Sequence, residues 1–547
     1  MRGACSLDTI QIKNVRSLKD TGEVKLSPLT LLLGENSSGK STFLRVFPLI
    51  KQSASKRTDG PLLWAGDVDD YVDFGSFAET VTNDGSNDMT FCFSFLADNY
   101  TGYYPSDEME IFPEFKKVLS EKDQVHYAIT IAQKSTRERE YISMLNVQIN
   151  DSKFEFELQQ VPFAGTIMVD DAYHYIGKNP SSEDRGFYYS IGYVASSIFG
   201  YTLPNISVII EDTLQKIERP KPKRMLEENE FRLIDHHYSY TARNILCSIG
   251  RLMCSKISWE EIRKAVEHRG AQDVDKYWDL VVRRLERMEK DELENFLAAS
   301  KLIYFYEYFS RLDRYLERYF KQVHYIAPLR ATAERYYRLR NLAIDEVDYQ
   351  GKNLAIFLSG LPKKRLQEFQ EWTKTYFGFS VKVIKSIGHL SVNIDLNDGG
   401  APVNMSDTGF GYSQILPIIT QIWDLSTSPQ PHYGPDEPVP LVIAIEQPEL
   451  HLHPALQARL TRAFIASIKL AEKNGYHLQL LIETHSETIV NCLGKAIAVG
   501  QLSDEDVSVI LFDKDIQTRR TIVRTSGYDS EGYLDNWPIG FFSPKEW

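Results

Sequence analysis

The pattern of apolar and polar positions predicts strands near both ends of the chain. Residues 6–15 alternate between apolar and polar side chains, and LTLLL at 29–33 is a continuous apolar run, which is typical of a buried strand. Two more apolar runs, LVIAI at 441–445 and LQLLI at 478–482, are each followed by polar residues. We therefore expect an open α/β sheet, built from both ends of the chain, with polar side chains at its carboxyl edge.

The segment between these two groups of strands predicts an inserted lobe. It contains about 400 residues, which is too many for a loop within one compact domain. Its first part has short strand-like runs such as MTFCFSF at 89–95, and its second part carries apolar stripes at helical spacing, which we interpret as the core of a helix pair. The predicted divisions are 1–95 and 323–547 for the two parts of the α/β domain, 96–257 for a mixed insert of strands and loops, and 258–322 for a helical arm.

Composition restricts the class of protein. The chain has 547 residues, of which 43% are hydrophobic, and a formal net charge of −13. No apolar run approaches the roughly 18 to 20 residues that span a bilayer, the start lacks the apolar core of a signal peptide, and the five cysteines are scattered. We expect a cytoplasmic protein with reduced thiols and no membrane contact.

The negative charge means that any contact with DNA or RNA requires a local basic patch. Two patches are candidates, KIERPKPKR at Lys216–Arg224 and RATAERYYRLR at Arg330–Arg340. Each has an alternative interpretation, as a solvated linker in the first case and as a charged helix face in the second.

The sequence GENSSGKST at 34–42 predicts a phosphate-binding loop, since it follows an apolar strand and precedes a helix-like segment. Its glycines allow successive backbone N–H groups to face an anion, and the helix N-terminus adds a positive dipole. We expect Lys40 to reach the β- and γ-phosphates of ATP and Ser41 to bind Mg²⁺. The predicted nucleotide-binding residues of this loop are Gly34, Asn36, Ser37, Ser38, Gly39, Lys40, Ser41 and Thr42.

A second glycine-rich turn, MSDTGFGYSQ at 405–414, also precedes an apolar helix. We call it the signature turn. It could cap a γ-phosphate from the other side, and two copies of the chain would then hold ATP between the P-loop of one and the signature turn of the other. The residues predicted to make this contact are Gly409, Gly411, Ser413 and Gln414.

Four features in order, GENSSGKST, MSDTGFGYSQ, LVIAIEQPELHLHP and LLIETHSE, resemble the ABC-type ATPase heads of the SMC-like and OLD-like families. The resemblance covers residues 6–95 and 324–547. It implies an α/β fold, an ABC-type P-loop ATPase head with a mixed sheet and flanking helices that is split by a large insert, and it implies a homodimer or a higher assembly.

The resemblance also implies roles for residues around the nucleotide. Glu446 takes the Walker B position and would share Mg²⁺ with Ser41, and His485 would sense the γ-phosphate. Asp73–Phe77 would be the Q-loop equivalent, or else a turn without a role. His451 and His453 fall in the D-loop, where we prefer a dimer contact to a metal site that includes Glu449.

One departure from the family pattern concerns catalysis. The residue after Glu446 is Gln447, whereas related ATPases usually have a glutamate there, and an amide can orient water but cannot take its proton. Either Glu449 supplies the base, or hydrolysis is slow and the ATP-bound dimer is long-lived. Our hypothesis is the second, in which ATP acts chiefly as a clamp.

HYIAPLRATAERYYRL and DNWPIGFF narrow the resemblance to ATPases of bacterial anti-phage defence, the PtuA type of Septu and retron systems. This implies an HNH endonuclease partner and, in retrons, a reverse transcriptase with its nucleic-acid product. The alternative is an SMC-like ATPase that clamps or repairs DNA. A self-contained OLD-type nuclease and a transporter subunit are disfavoured, and we interpret Asp513 and Asp515 as a hairpin tip rather than as nuclease ligands.

Overall fold

A computed structural model gives the structure of the chain. It describes residues 7–56, 58, 60–66, 70–82, 85, 87–98, 113–134, 139–158, 165–170, 173–177, 199, 213, 244–267, 275–339, 344, 346–428, 440–515, 517–518 and 520–535. The basic segment Lys216–Arg224 and the closing DNWPIGFF, except its first residue, lie outside these described residues.

The strands are β1 (Leu7–Val15), β2 (Leu18–Asp20), β3 (Val24–Lys25), β4 (Leu29–Gly34), β5 (Asp88–Asp98), β6 (Lys122–Ala132), β7 (Tyr141–Ile149), β8 (Ser152–Leu158), β9 (Gly165–Val169), β10 (Tyr173–Gly177), β11 (Val323–Ile326), β12 (Tyr337–Arg338), β13 (Ser380–Ser386), β14 (His389–Asp395), β15 (Val403–Asn404), β16 (Leu441–Glu446), β17 (Leu478–Glu483), β18 (Val507–Lys514) and β19 (Thr521–Ser526). The helices span Lys40–Ser55, Phe77–Thr80, Lys116–Leu119, 244–254, Trp259–Glu267, Asp275–Leu285, Lys290–Lys321, Leu354–Gly360, Lys363–Phe377, Phe410–Thr427, Pro454–Lys473 and Glu487–Ala498.

The chain forms two compact units. The first comprises Met1–Lys56, Leu62–Met89 and Arg318–Trp547, and the second comprises Arg57–Pro61 and Thr90–Glu317. The sequence prediction divided the insert at residue 257, whereas a single unit spans that position.

The first unit contains a six-stranded sheet in the order β11-β16-β17-β4-β18-β19. The first five strands are parallel and β19 pairs with β18 in the antiparallel sense. Every residue of β4, β16 and β17 is buried, which explains their continuous apolar runs. The predicted α/β class with a mixed sheet is confirmed.

The register of this sheet brings both ends of the chain to one edge. In the β16–β17 pair Glu446 lies opposite Glu483, and in the neighbouring β17–β4 pair Glu483 lies opposite Leu32. The P-loop therefore starts at the carboxyl edge, beside the two acidic residues that end β16 and β17, where polar side chains were expected.

Helices cover this sheet with apolar side chains. The main cluster includes Leu31, Ile443 and Ile482 from the strands and residues of Phe410–Thr427 and Pro454–Lys473. A separate small sheet in the order β12-β14-β13, with β15 on β14, belongs to the same unit. The sheet edge that carries the P-loop is thus held by a large apolar core.

The second unit contains β5 to β10, which follow one another as neighbours in the order β10-β9-β8-β7-β6-β5. Aromatic residues of the helix Lys290–Lys321 pack on these strands, since Phe305 stacks on Phe154 with ring centroids 4.4 Å apart and Phe309 on Tyr127 at 6.2 Å. The apolar stripe was predicted to be the core of a helix pair. The stripe of Lys290–Lys321 is core, but it packs on the strands of a sheet. Of the helices that the structure describes, none is long and apolar enough to cross a membrane.

Candidate nucleotide-binding site

The P-loop is a turn that needs glycine at both ends. Gly34 has a φ of 155° and Gly39 a φ of 103°. A Cβ atom on Gly34 would lie 2.2 Å from the carbonyl oxygen of Phe512, and one on Gly39 would lie 2.8 Å from Thr521 Oγ1. Backbone conformation and lack of space therefore both exclude side chains at these two positions.

The start of β19 supports the P-loop from behind. The Thr521 hydroxyl donates a hydrogen bond of 2.8 Å to the carbonyl oxygen of Ser38, and its backbone N–H donates to Ser17 at 3.1 Å. This residue was not among the predicted site residues, because only the antiparallel pairing of β19 with β18 brings it there.

Lys40 is buried inside the loop, with 3% of its surface exposed. Its Nζ donates to the carbonyl oxygens of Gly34 at 2.9 Å and Glu35 at 2.7 Å. Burial lowers the pKa of Lys40, although nearby carboxylates, Glu483 first among them, oppose this shift. Phosphate oxygens would offer this ammonium group charged partners in place of carbonyl oxygens.

Ser41 contacts a different acid from the one predicted. Its hydroxyl donates to Glu483 Oε1 at 2.9 Å. Glu483 is 2% exposed, and burial, followed by the charge of Glu446, raises the pKa of Glu483 to about 7. Its second oxygen, Oε2, is buried and makes no hydrogen bond to the residues that the structure describes.

Glu446, the predicted Walker B acid, is instead bound by the side chain of Arg45. Arg45 donates to both of its carboxylate oxygens, with Nε at 2.6 Å from Oε1 and Nη2 at 2.8 Å from Oε2. The Tyr325 hydroxyl donates to Oε1 at 2.7 Å. The hydrogen bond to Glu446 raises the pKa of Arg45, which keeps the guanidinium group charged in this bidentate contact.

Glu449 holds the segment that follows β17. Its Oε2 accepts from the Thr484 hydroxyl at 2.8 Å and its Oε1 accepts from the backbone N–H of His485 at 2.7 Å. Burial raises the pKa of Glu449 and lowers the pKa of His485 to about 4. A neutral His485 therefore stands next to a carboxylate that both anchors it and is a candidate base.

Gln447 and Gln414 meet at a buried arginine. Arg330 is 5% exposed, and its guanidinium donates to the carbonyl oxygen of Gln447 at 3.2 Å and to Gln414 Oε1 at 3.4 Å. Burial lowers the pKa of Arg330 to about 10. Gln447 itself has a φ of 44°, a left-handed conformation.

The predicted signature residues divide into an exposed and a buried group. Gly409 has a φ of 85°, and a Cβ atom there would contact nothing within 4 Å, so its conformation rather than crowding requires glycine. Phe410 is 61% exposed, whereas Ser413 and Gln414 are buried. The prediction of Ser413 and Gln414 as direct contacts across a dimer does not fit these positions, because the Ser413 hydroxyl donates to the Phe410 carbonyl and Gln414 faces Arg330.

The D-loop histidines have different surroundings. The His453 ring accepts from the backbone N–H of Ala455 at 3.2 Å and caps the helix Pro454–Lys473. His451 is exposed and its ring lies 6.0 Å from that of Phe410, which places the D-loop beside the signature turn.

The other predicted positions, Asp73–Phe77 and Asp513 with Asp515, make local contacts. In Asp73–Phe77 the Asp73 carboxylate accepts from the N–H of Gly75 at 2.7 Å, and Ser76 caps the short helix Phe77–Thr80. Asp513 pairs with Arg524 across the β18–β19 hairpin, and Asp515 follows β18 in the turn of this hairpin.

Ser41 and Glu483 fit a Mg²⁺ ion. Both offer hard oxygen atoms, and the buried Oε2 of Glu483 has a lone pair without a hydrogen-bond donor. Within the described residues no group of three or more His, Cys, Asp and Glu could hold a metal alone. Phosphate oxygens and water would therefore have to complete the ligands of Mg²⁺.

Two of these residues carried a signal in the sequence. Glu483 ends an apolar strand just as Glu446 does, and Arg45 follows Ser41 by four positions, on the same side of the helix. Both signals point to the sheet edge, but the pairing of Ser41 with one acid and Arg45 with the other depends on the strand order.

Two family models match the chain. Residues 6–275 match the model described as AAA ATPase domain, and residues 252–491 match the one described as AAA domain, putative AbiEii toxin, Type IV TA system. The first match includes the P-loop, and the second includes the signature turn, Glu446 and Glu483. The chain is thus similar to AAA ATPase domains and carries the ATP-binding P-loop of that class.

Other comparisons add little. No curated protein matches the chain. Among solved structures, the SMC head domain from Thermotoga maritima is similar at 9% identity, with 95% of this chain and 98% of that chain covered and a TM-score of 0.32. This likeness is too low to carry an argument.

Proposed function

We propose that the chain is an ABC-type ATPase that works as an ATP-dependent clamp. Two copies close on ATP, and the clamped dimer scaffolds and regulates an HNH-type nuclease partner in anti-phage defence, as PtuA-type ATPases of Septu and retron systems would. The observation that carries the clamp is the contrast between the buried Lys40 of the P-loop and the exposed Gly409 and Phe410 of the signature turn.

The P-loop side is prepared for a nucleotide. Lys40 is held among carbonyl oxygens and Ser41 lies against a buried carboxylate. The exposed Gly409 and Phe410 offer backbone N–H groups and an apolar ring at a helix start. These features support a nucleotide that is bound by one copy and covered by the other.

The residues at this edge divide the work of ATP binding. Lys40 binds phosphate oxygens, and Ser41 and a neighbouring carboxylate hold Mg²⁺, which neutralises phosphate charge. Gln447 orients water without accepting its proton. Glu449 is committed to Thr484 and His485 through both oxygens, which supports slow hydrolysis and a long-lived ATP-bound dimer.

Steady-state turnover tests the slow-hydrolysis proposal. We expect a low wild-type rate that changes less than about threefold in Glu449→Gln, because the carboxylate anchors His485 rather than serving as an efficient base. Rapid turnover that is abolished by Glu449→Gln and unaffected by Gln447→Ala would contradict it.

The proposal of a nuclease partner rests on the resemblance of this sequence to PtuA-type ATPases. The test is to co-purify the chain with the products of neighbouring genes, with and without ATP, and to measure the masses of the complexes. We expect an ATP-dependent complex with an HNH protein. An ATPase dimer that binds neither partner nor nucleic acid would overturn the proposal.

The SMC-like alternative is favoured by one observation. Arg338 and Tyr336 are exposed side by side at β12, as a basic and aromatic surface for nucleic acid would require. If the chain alone binds DNA when ATP is present, and Arg338→Glu removes this binding, DNA clamping is the better description.

A further inference from the structure

We infer that Glu483, and not the Walker B residue Glu446, is the carboxylate that holds Mg²⁺ together with Ser41, and that Glu446 anchors the P-loop helix Lys40–Ser55 through Arg45. The inference rests on the proposed binding of ATP, and it names the metal ligand of that site.

The order of the strands is the first argument. β17 is hydrogen-bonded to the P-loop strand β4, whereas β16 lies on the far side of β17. Glu446 and Glu483 are direct partners in the register of β16 and β17. Glu483 is therefore closer to the P-loop strand by one strand spacing, which is about 4.8 Å.

The P-loop helix gives the second argument. Ser41 and Arg45 are four residues apart and lie on one side of the helix, one turn after the other. Ser41 bonds Glu483 at 2.9 Å, and Arg45 bonds Glu446 at 2.6 and 2.8 Å. The two helix residues thus pair one to one with the acids that end two neighbouring strands.

The third argument is the difference in hydrogen bonding between the two carboxylates. Both Oε atoms of Glu446 accept hydrogen bonds from Arg45, and Oε1 also accepts one from Tyr325. For Glu446 to bind a cation, its hydrogen bonds with Arg45 and Tyr325 would have to break. Glu483 is equally buried, at 2% exposed, yet its Oε2 makes no hydrogen bond to a described residue.

A cation at Ser41 would give the Oε2 atom of Glu483 the partner that it lacks among the described residues. A buried carboxylate without a charged hydrogen-bond partner is unfavourable, and Mg²⁺ prefers carboxylate and hydroxyl oxygens. The Ser41 hydroxyl can turn its hydrogen away and present a lone pair, because a hydroxyl both donates and accepts.

The test compares the matched variants Glu483→Gln and Glu446→Gln in the full chain. The probes are Mn²⁺, observed by electron paramagnetic resonance with a non-hydrolysable ATP analogue, and the affinity for that analogue in Mg²⁺ and in EDTA. We expect Glu483→Gln to keep its affinity in EDTA but to weaken Mn²⁺ binding roughly tenfold or more. Glu446→Gln should keep Mn²⁺ binding within about twofold and should lower the melting temperature.

A second variant guards against misfolding. Ser41→Ala should weaken Mn²⁺ binding as Glu483→Gln does, while leaving the Arg45–Glu446 pair intact. If Glu446→Gln loses Mn²⁺ and Glu483→Gln keeps it, the inference is overturned, since the pair with Arg45 must then open around the metal. If wild-type protein binds no analogue even in EDTA, the proposed ATP binding fails instead.

Discussion

The P-loop and the signature turn are two glycine-rich turns that each open a helix, yet their surroundings are opposite. Gly34 and Gly39 are so closely packed that a Cβ atom would lie less than 3 Å from a neighbour, whereas a Cβ atom on Gly409 would contact nothing within 4 Å. Lys40 is buried, and Phe410 is 61% exposed. One turn encloses a buried lysine, and the other presents Gly409 and Phe410 to solvent.

This difference assigns nucleotide binding to the P-loop and the association of two copies to the signature turn. A loop with closely packed glycines and a buried lysine can bind ATP in one protomer, whereas an exposed apolar turn contributes when a second molecule covers it. Substitutions in the first region should therefore change nucleotide affinity, and substitutions in the second should change association. The predictions below test that separation, from the largest expected effect to the smallest.

Lys40→Ala tests the pocket most directly. Removal of the buried ammonium group should weaken ATP binding by roughly 100-fold, as expected for the loss of charge-assisted hydrogen bonds to phosphate. Calorimetric titration measures the affinity, and the mass of the protein in ATP should become that of the monomer. Unchanged affinity would remove Lys40 from the site, and a dimer that still forms in ATP would separate assembly from nucleotide binding.

Arg330→Leu tests the connection between the two regions. Arg330 bonds both Gln447, after β16, and Gln414, the last residue of the signature turn. Its loss leaves buried polar groups without donors and should reduce the free energy of unfolding by about 2 kcal/mol. Denaturant unfolding measures this, and the exposed Arg338→Leu, as the control, should change it by less than about 0.5 kcal/mol. Equal losses of unfolding free energy in the two variants would mean that Arg330 does not connect the two regions.

These two residues also show how far the sequence determines the site. Lys40 was predicted because the P-loop is local, with its strand, glycines and helix contained in 27 consecutive residues from Leu29 to Ser55. Arg330 was predicted only as part of a basic patch. Its burial depends on contacts with residues more than 80 positions away.

The acids at the sheet edge show the same division. The apolar strands that end in Glu446 and Glu483 were readable as strands, and both were expected at the carboxyl edge. Which acid meets Ser41 depends on β17 lying between β16 and β4, and strand order is a property of the assembled sheet. The signature residues Ser413 and Gln414 were misplaced for the related reason that helix orientation decides which side is buried.

Phe410→Ser tests the exposed turn. Because Phe410 is largely exposed, stability and ATP affinity should stay unchanged, while ATP-dependent dimerisation should weaken by roughly tenfold through loss of apolar contact. Sedimentation or light scattering at several concentrations measures the association. Val499→Ser is the matched control, since Val499 is 59% exposed in the segment after helix Glu487–Ala498 and should leave association unchanged. A comparable loss of association in both variants would mean that the signature turn contributes no more to dimerisation than another exposed apolar position does.

The smallest effect concerns a buried histidine that also joins the two regions. His324 contacts Glu346 at 2.8 Å and Gln421, in the helix after the signature turn, at 3.2 Å, and Glu346 in turn pairs with Lys51 of the P-loop helix. Burial lowers the pKa of His324, and Lys51 lowers it further, although Glu346 opposes both.

The folded-state pKa of His324 thus lies below that of the unfolded chain, which is about 6.5. The unfolded chain binds the extra proton, so stability is complete above pH 6.5 and falls as the pH decreases through the folded-state pKa. We expect the wild type to lose about 1 kcal/mol more than His324→Gln between pH 7.5 and 5.5, and His389→Gln, at an exposed position, to follow the wild type. Glu483 and His485 also titrate across this range, but they contribute equally to all three proteins. Thermal unfolding across this range measures it, and an identical slope in His324→Gln would show that other groups set the pH dependence.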